Sequence, residues 1–370
     1  MRRLLVTGGG TGGHIYPALA LARGFLAAAA PGEARAALFV GSRRGLEARL
    51  VPAAGIPFRA LPMRGFRGKG PLERLLFLPE LLVSVARALA LLREFQPDAV
   101  LATGSFASLP VLIAARLARR PIFLQEQNSV PGRVSALFAR RARTVFIAYP
   151  EAARRLGAGA RCQLTGNPLR EELLALAGPR PARAPGAPPR LLAFGGSRGA
   201  HSLNAALRAG LPLLARECRF EALIQTGEAE RAETAAALAA LAPAVQVAAY
   251  LDDMPARLAA ADWVLCRAGA MTLAEITLLG LPALLVPYPH AVDDHQTANA
   301  RALAEAGAAL LIPDAELDGP RLAAALAALW RDPARGAAMA AASAALGRPR
   351  ATADILAALE KSLAGPGGGC

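Results

Sequence analysis

Paired cysteines are missing from this chain. Its four, Cys162, Cys218, Cys266 and Cys370, stand far apart with no C-x-x-C spacing. That excludes a disulfide framework and a cysteine-built metal site, and it fits a reducing compartment. Long apolar runs are missing too. The nearest approach to a membrane span, LLFLPELLVSVARALALL at 75–92, is interrupted by Pro79, Glu80 and Arg87, so no transmembrane helix is expected. The opening Met-Arg-Arg and the apolar stretch after it end at Gly8, too soon for the core of a secretion signal. Aromatic residues make up only 5% of the chain and no nucleic-acid-binding motif appears, which argues against a nucleic-acid partner. Lysine is confined to Lys69 and Lys361, so arginine carries the positive charge. Acidic residues are scarce in one half only. Residues 1–170 hold 25 Lys+Arg against 8 Asp+Glu, whereas 171–370 hold 17 against 20, within a formal net charge of +14. A basic half implies a polyanionic partner: nucleic acid, an anionic membrane surface or a phosphorylated substrate.

What is present is a plan used twice. At 370 residues the chain is long enough for two domains, and its 54% apolar content can fill two cores. RRLLVTGGGTGGHIYPALALARGF starts at residue 2, and RLLAFGGSRGAHSLNAALRAGL starts at residue 190. Each runs from a basic residue through a short apolar strand and a glycine-rich turn into an Ala/Leu-rich helix, the opening βα unit of a doubly wound domain. Between them GPRPARAPGAPPR, at 178–190, reads as a linker. ARAALFVG, DAVLATG, RPIFLQEQ and TVFIAY read as further strands of the first half, and EALIQTG, VQVAAYL, WVLCRAG and PALLVPY as those of the second. Strands alternating with helices imply parallel sheets with ligands at their carboxyl ends. The expected fold class is therefore α/β, with two Rossmann-like domains facing across a cleft in the GT-B arrangement. The expected boundaries are 1–166 for the N-terminal domain, 167–189 for the linker and 190–345 for the C-terminal domain. A last helix within 346–364 is expected to return toward the first domain, and 365–370 reads as a disordered tail.

The glycine turns point to anions. A strand-to-helix turn leaves backbone N–H groups at the helix N-terminus, where the dipole also favours negative charge. Gly8-x-Gly10-x-x-Gly13 matches the dinucleotide fingerprint, but FVGSRRG after the second strand lacks the acid that would hold an NAD ribose. Arg43 and Arg44 keep an NADP reading open. A histidine, His14, follows the glycines at once, in the first helical turn beside an anion-binding loop, where it can handle a proton.

GGGTGGHIYPALALA, LQEQNSVPG, LTGNPLR, FGGSRGAHSLN, YLDDMP, CRAGAMTLAEI and GLPALLVPYPHAVDDHQTANA occur in the order and spacing of the MurG family, which the chain resembles from about residue 3 to 345. These enzymes transfer N-acetylglucosamine from UDP-GlcNAc to the C4 hydroxyl of MurNAc in lipid I, giving lipid II. The resemblance implies an inverting, metal-independent hexosyltransferase that needs no cofactor. Its donor would sit on the C-terminal domain and lipid I on the N-terminal one. Leu251 would meet the uracil through its backbone, and Glu275 would accept from the ribose hydroxyls. Ser197 and the helix start Ala270, Met271, Thr272, Leu273 and Ala274 would hold the diphosphate. Arg170 would add positive charge or nucleotide contacts. Gln296 and Asn128 would read sugar hydroxyls. Thr11, Gly12 and Gly13 would face lipid-linked or donor phosphates, with His14 as the general base and Glu126 as its rival. Asp252-Asp253 and Asp293-Asp294 do not read as a magnesium pair.

Three positions depart from the family. Gln125 stands where it usually has histidine, Ala102–Ser108 replaces a glycine-rich G-x-G-G-Y-x-S, and Arg198 replaces glutamine. The first two fall in the expected acceptor domain. A lipid acceptor also requires membrane contact. Residues 63–82 offer Arg64, Arg67, Lys69 and Arg74 beside Phe66, Leu75, Leu76 and Phe77, a basic and apolar set suited to an anionic interface. The same stretch also reads as a loop and a core helix. A peripheral location on the cytoplasmic face of the inner membrane follows, with other cell-wall synthesis proteins as further partners. A transferase with another lipid acceptor, a sugar-nucleotide epimerase and a non-catalytic UDP-sugar binder stay open beside this reading.

Overall fold

A computed structural model describes residues 2–63, 77–178, 184, 186–196 and 199–364. Seven of the eight residues singled out for membrane contact (Arg64, Phe66, Arg67, Lys69, Arg74, Leu75 and Leu76) lie outside them, as do Ser197, Arg198 and the tail 365–370.

The chain divides into two compact units, one running to Glu171 and resuming at Pro349, the other spanning Glu172–Arg348. The first holds a seven-stranded sheet: β1 (Arg2–Thr7), β2 (Arg35–Ser42), β3 (Phe58–Leu61), β4 (Ala99–Ala102), β5 (Ile122–Glu126), β6 (Thr144–Ile147) and β7 (Cys162–Leu164). Their order across the sheet is β3-β2-β1-β4-β5-β6-β7, and every pairing is parallel. β1 and β4 are central, covered by helices on both faces, so their residues read as unbroken apolar runs rather than as alternation. The second unit repeats the plan with β8 (Arg190–Phe194), β9 (Glu221–Gln225), β10 (Val245–Ala248), β11 (Trp263–Cys266), β12 (Ala283–Leu285) and β13 (Ala309–Leu311), ordered β10-β9-β8-β11-β12-β13 and again all parallel.

In each sheet the order reverses beside the first strand, and a doubly wound sheet binds its ligands in the crevice outside the strand ends at that point. The first reversal sets the turn after β1 next to the loop after β4. The second sets the turn after β8 next to the loop after β11. Helix Gly12–Ala27 buries Ile15, Ala18, Leu19, Ala22 and Phe25, a helical stripe against the sheet.

One boundary differs from the sequence reading. Asn167 and Leu169 are buried in the first unit, so the linker does not begin at 167. The last helix, Ala351–Ala364, belongs to the first unit. Its Ile355, Leu356 and Leu359 share a core with Leu4, Val6 and Phe25, and Glu360 accepts a hydrogen bond from Arg35 at 2.6 Å.

Candidate functional site

In the first unit the glycine turn wraps onto the loop after β4. Gly10 takes a positive φ of 82°, a conformation glycine adopts without steric cost. The helix that follows has Thr11 as N-cap, with no side-chain cap bond. Its first N–H groups therefore point outward at the positive end of the dipole. Beneath the turn lies Glu47, fully buried. It accepts the Gly10 N–H at 3.0 Å and both the N–H and the hydroxyl of Ser42. Glu47 thus ties the exit of β2 to the glycine turn. The one acid in GSRRGLE, within an acid-poor half, was the signal for it.

His14 is half-buried, with Nδ1 2.7 Å from the Thr103 carbonyl. A carbonyl oxygen only accepts, so Nδ1 carries a proton, and in the neutral ring Nε2 is the bare nitrogen. Thr103 returns a bond from its hydroxyl to the His14 carbonyl at 2.8 Å. Arg170 lies over the Tyr16 ring, 5.3 Å from its centroid, two residues along the same helix. Thr11, Gly12, Gly13, His14 and Arg170 therefore gather around one helix start.

Glu126 has a different part. It is buried at the end of β5, and its two oxygens accept the backbone N–H groups of Asn128 at 3.1 Å and Gly132 at 3.0 Å. Its carboxylate braces the loop that carries Asn128. Gln125 is buried as well, behind the site rather than on its surface.

In the second unit the turn after β8 passes so close to β9 that a Cβ on Gly199 would lie 1.7 Å from the Thr226 carbonyl. Gln225, at the end of β9, donates to the Gly196 carbonyl at 3.1 Å and accepts the Leu251 N–H at 2.9 Å. The Leu251 N–H is spent inside the fold, so of its backbone groups the carbonyl is what it can offer a base. Helix Ala270–Leu278 begins beyond β11 with Gly269 as N-cap and no side-chain cap. Ala270 and Leu273 are buried, while Met271, Thr272, Ala274 and Glu275 are partly exposed. Gln296 accepts the Tyr288 N–H at 2.9 Å, which fixes the loop after β12.

Arg267 organises this end of the sheet without having been assigned a role from sequence. It donates to the carbonyls of Val286 and Pro287, to Asp314 and to Ser202, and lies over the Tyr288 ring. Asp293 and Asp294 both take left-handed backbone angles, φ 52° and 51°, strained for aspartate. Among the described residues no three His, Cys, Asp or Glu side chains gather to hold a metal.

The model of the glycosyltransferase family 28 N-terminal domain matches residues 4–147, and that of the family's C-terminal domain matches residues 190–355. A relative from Pelobacter propionicus, named UDP-N-acetylglucosamine--N-acetylmuramyl-(pentapeptide) pyrophosphoryl-undecaprenol N-acetylglucosamine transferase, is 43% identical over 351 residues, covering 90% of this chain and 92% of that protein. A protein of the same name from Desulforudis audaxviator is 44% identical over 353 residues, covering 91% and 92%. Among solved structures, that of Acinetobacter baumannii MurG is 30% identical, superposes with a TM-score of 0.81, and is matched over 98% of this chain and 100% of its own.

Proposed function

The chain belongs to the MurG family within glycosyltransferase family 28, and from that premise we propose that it transfers N-acetylglucosamine from UDP-N-acetylglucosamine to the C4 hydroxyl of the muramyl sugar of lipid I, giving lipid II. The observation that carries the mechanism is the hydrogen bond between His14 Nδ1 and the Thr103 carbonyl. In the neutral ring it puts the proton on Nδ1 and leaves the other nitrogen bare, as a general base requires. The acceptor oxygen bonds to the anomeric carbon while its proton passes to Nε2. The bond from that carbon to the diphosphate breaks on the opposite face, UDP leaves with the electron pair, and the centre inverts.

The charge of the departing diphosphate needs donors already in place. The helix start at Ala270–Ala274 and Ser197 serve the donor. Leu251 meets the uracil through its carbonyl, and Glu275 accepts from the ribose. Gln296 and Asn128 read sugar hydroxyls from loops fixed by the Tyr288 and Glu126 contacts. On the acceptor side the N–H groups of Gly12 and Gly13, with Thr11 and Arg170, face the lipid's own diphosphate.

Attachment to an anionic membrane surface is supported by the first unit. Arg116, Arg119, Arg120, Arg140, Arg141 and Arg143 line one hollow of about 390 Å³ with no acid among its lining residues. Leu117 and Leu137, on the same segments, are 63% and 55% exposed. Helix Phe77–Phe95, which packs against the helix bearing Arg116, leaves Leu78 and Leu82 exposed as well. No helix among the described residues is long and apolar enough to cross a membrane. A nucleotide-sugar donor and unpaired cysteines fit the cytoplasmic face of the inner membrane, where other cell-wall synthesis proteins would be neighbours.

The test is transfer of labelled N-acetylglucosamine from its UDP donor to a lipid I analogue in detergent, with EDTA present. Robust transfer to that acceptor is the expected result. Binding of the donor with no transfer by the wild-type protein would overturn the assignment.

A further inference from the structure

Behind His14 three buried amides close a ring. Gln125, Gln127 and Asn167 are each no more than 3% exposed. Gln125 Nε2 donates to Asn167 Oδ1 at 2.9 Å, and Asn167 Nδ2 donates to the Gln127 carbonyl at 3.2 Å. Gln127 Nε2 in turn donates to the side-chain oxygen and the carbonyl of Gln125. The same nitrogen reaches the Thr103 carbonyl at 3.0 Å, the oxygen that accepts from His14 Nδ1. Three acceptors around one terminal atom identify it as the amide nitrogen. The opposite atom, Gln127 Oε1, is buried with no partner among the described residues. The fold uses this side chain as a donor.

The held oxygen sits at a soft point of the backbone. Thr103 is followed by Gly104 at φ 88°, and glycine leaves the intervening peptide plane more free to turn than any other residue would. If that plane turns, the Thr103 carbonyl leaves Nδ1, and the imidazole is free to carry its proton on the nitrogen that must be bare. We propose that Gln127 is a positioning residue for transfer, fixing the Thr103 carbonyl so that His14 is held in the tautomer with Nε2 free. This rests on the reading of His14 as the base. It also accounts for Gln125. A neutral imidazole offers one donor and one acceptor, and the Gln125 amide keeps both, donating to Asn167 and accepting from Gln127, so the ring of amides stays closed without histidine.

The test uses the full chain labelled with ¹⁵N-histidine. The His14 ring signals, identified by their loss in His14→Ala, report the tautomer directly and do not depend on activity. The wild-type protein is expected to show a single Nδ1–H tautomer. Gln127→Met, which keeps volume and removes the donor, is expected to give a mixture of tautomers and about tenfold lower kcat, with the KM for UDP-N-acetylglucosamine unchanged. Gln127→Glu places a carboxylate one carbonyl away from the imidazole and so favours the imidazolium. The base then becomes available only at higher pH, and the acidic limb of the kcat/KM profile should move up by about one pH unit. Ring signals and an acidic limb unchanged in both variants, whatever the rate, would overturn the proposal. Altered ring signals with an unmoved limb would uphold the positioning and remove His14 as the base. If one variant fails to bind donor or to fold, as read by circular dichroism, the other carries the test.

Discussion

Ser105 stands at φ 75° and ψ 158°, a region essentially reserved for glycine, which costs other residues about 1–3 kcal/mol. The MurG resemblance places a glycine there, and the cost of its loss is invisible until the angles are known. Ser105→Gly should therefore stabilise the protein, by about 1 kcal/mol after glycine's larger unfolded-state entropy is subtracted. The check is a higher urea midpoint at unchanged m-value, and an unchanged or lower midpoint would remove the strain argument. His14 was legible from sequence because glycines and an imidazole share one helix start. Its protonation pattern was not, since Thr103 lies 89 residues away. His14→Gln keeps a hydrogen-bonding side chain but no base, so kcat should fall about 10²–10⁴-fold while donor KM stays put. Glu126 and Leu251 show the reverse limit. A motif names the residue, yet only the fold reveals that a carboxylate or an N–H already has a partner.

At the scale of elements, the two βα openings and the central strands could be read because apolar runs and glycine turns repeat together. The edge strands Phe58–Leu61, Cys162–Leu164 and Ala309–Leu311 went unread, being too short to show a period. The glycine turn after β8 makes the sharpest prediction here. At Gly199 a side chain would meet both a positive φ of 76° and the Thr226 carbonyl at 1.7 Å. No flexible neighbour can yield, because that carbonyl also accepts from Asn204 at 3.1 Å. Gly199→Ala should cost about 3 kcal/mol or more, joining backbone strain to overpacking, and should weaken donor binding by moving the turn. Calorimetry and UDP titration read the two effects. A variant with wild-type melting would mean that the turn is not held against β9.

At the scale of the whole molecule, the charge imbalance between halves was plain in the sequence, but its focus was not. Its six hollow-lining arginines come from two separate segments, 116–120 and 140–143, and only the β5 and β6 register brings them together. The stretch singled out from sequence for membrane contact lies mostly outside the described residues, so the arginine hollow carries the testable claim. Each basic side chain near an anionic surface contributes about 1 kcal/mol. Replacing Arg116, Arg120 and Arg141 by serine should weaken binding to phosphatidylglycerol vesicles on the order of 100-fold. Replacing Arg301, Arg335 and Arg348 of the second unit removes the same charge and should change it little. The difference between the two triple variants should fade at about 1 M salt, where the screening length falls to roughly 3 Å. Transfer to a water-soluble acceptor analogue should be equal in both, since neither set touches the proposed site. Equal loss of vesicle binding would mean that total charge, not this face, draws the protein to the membrane.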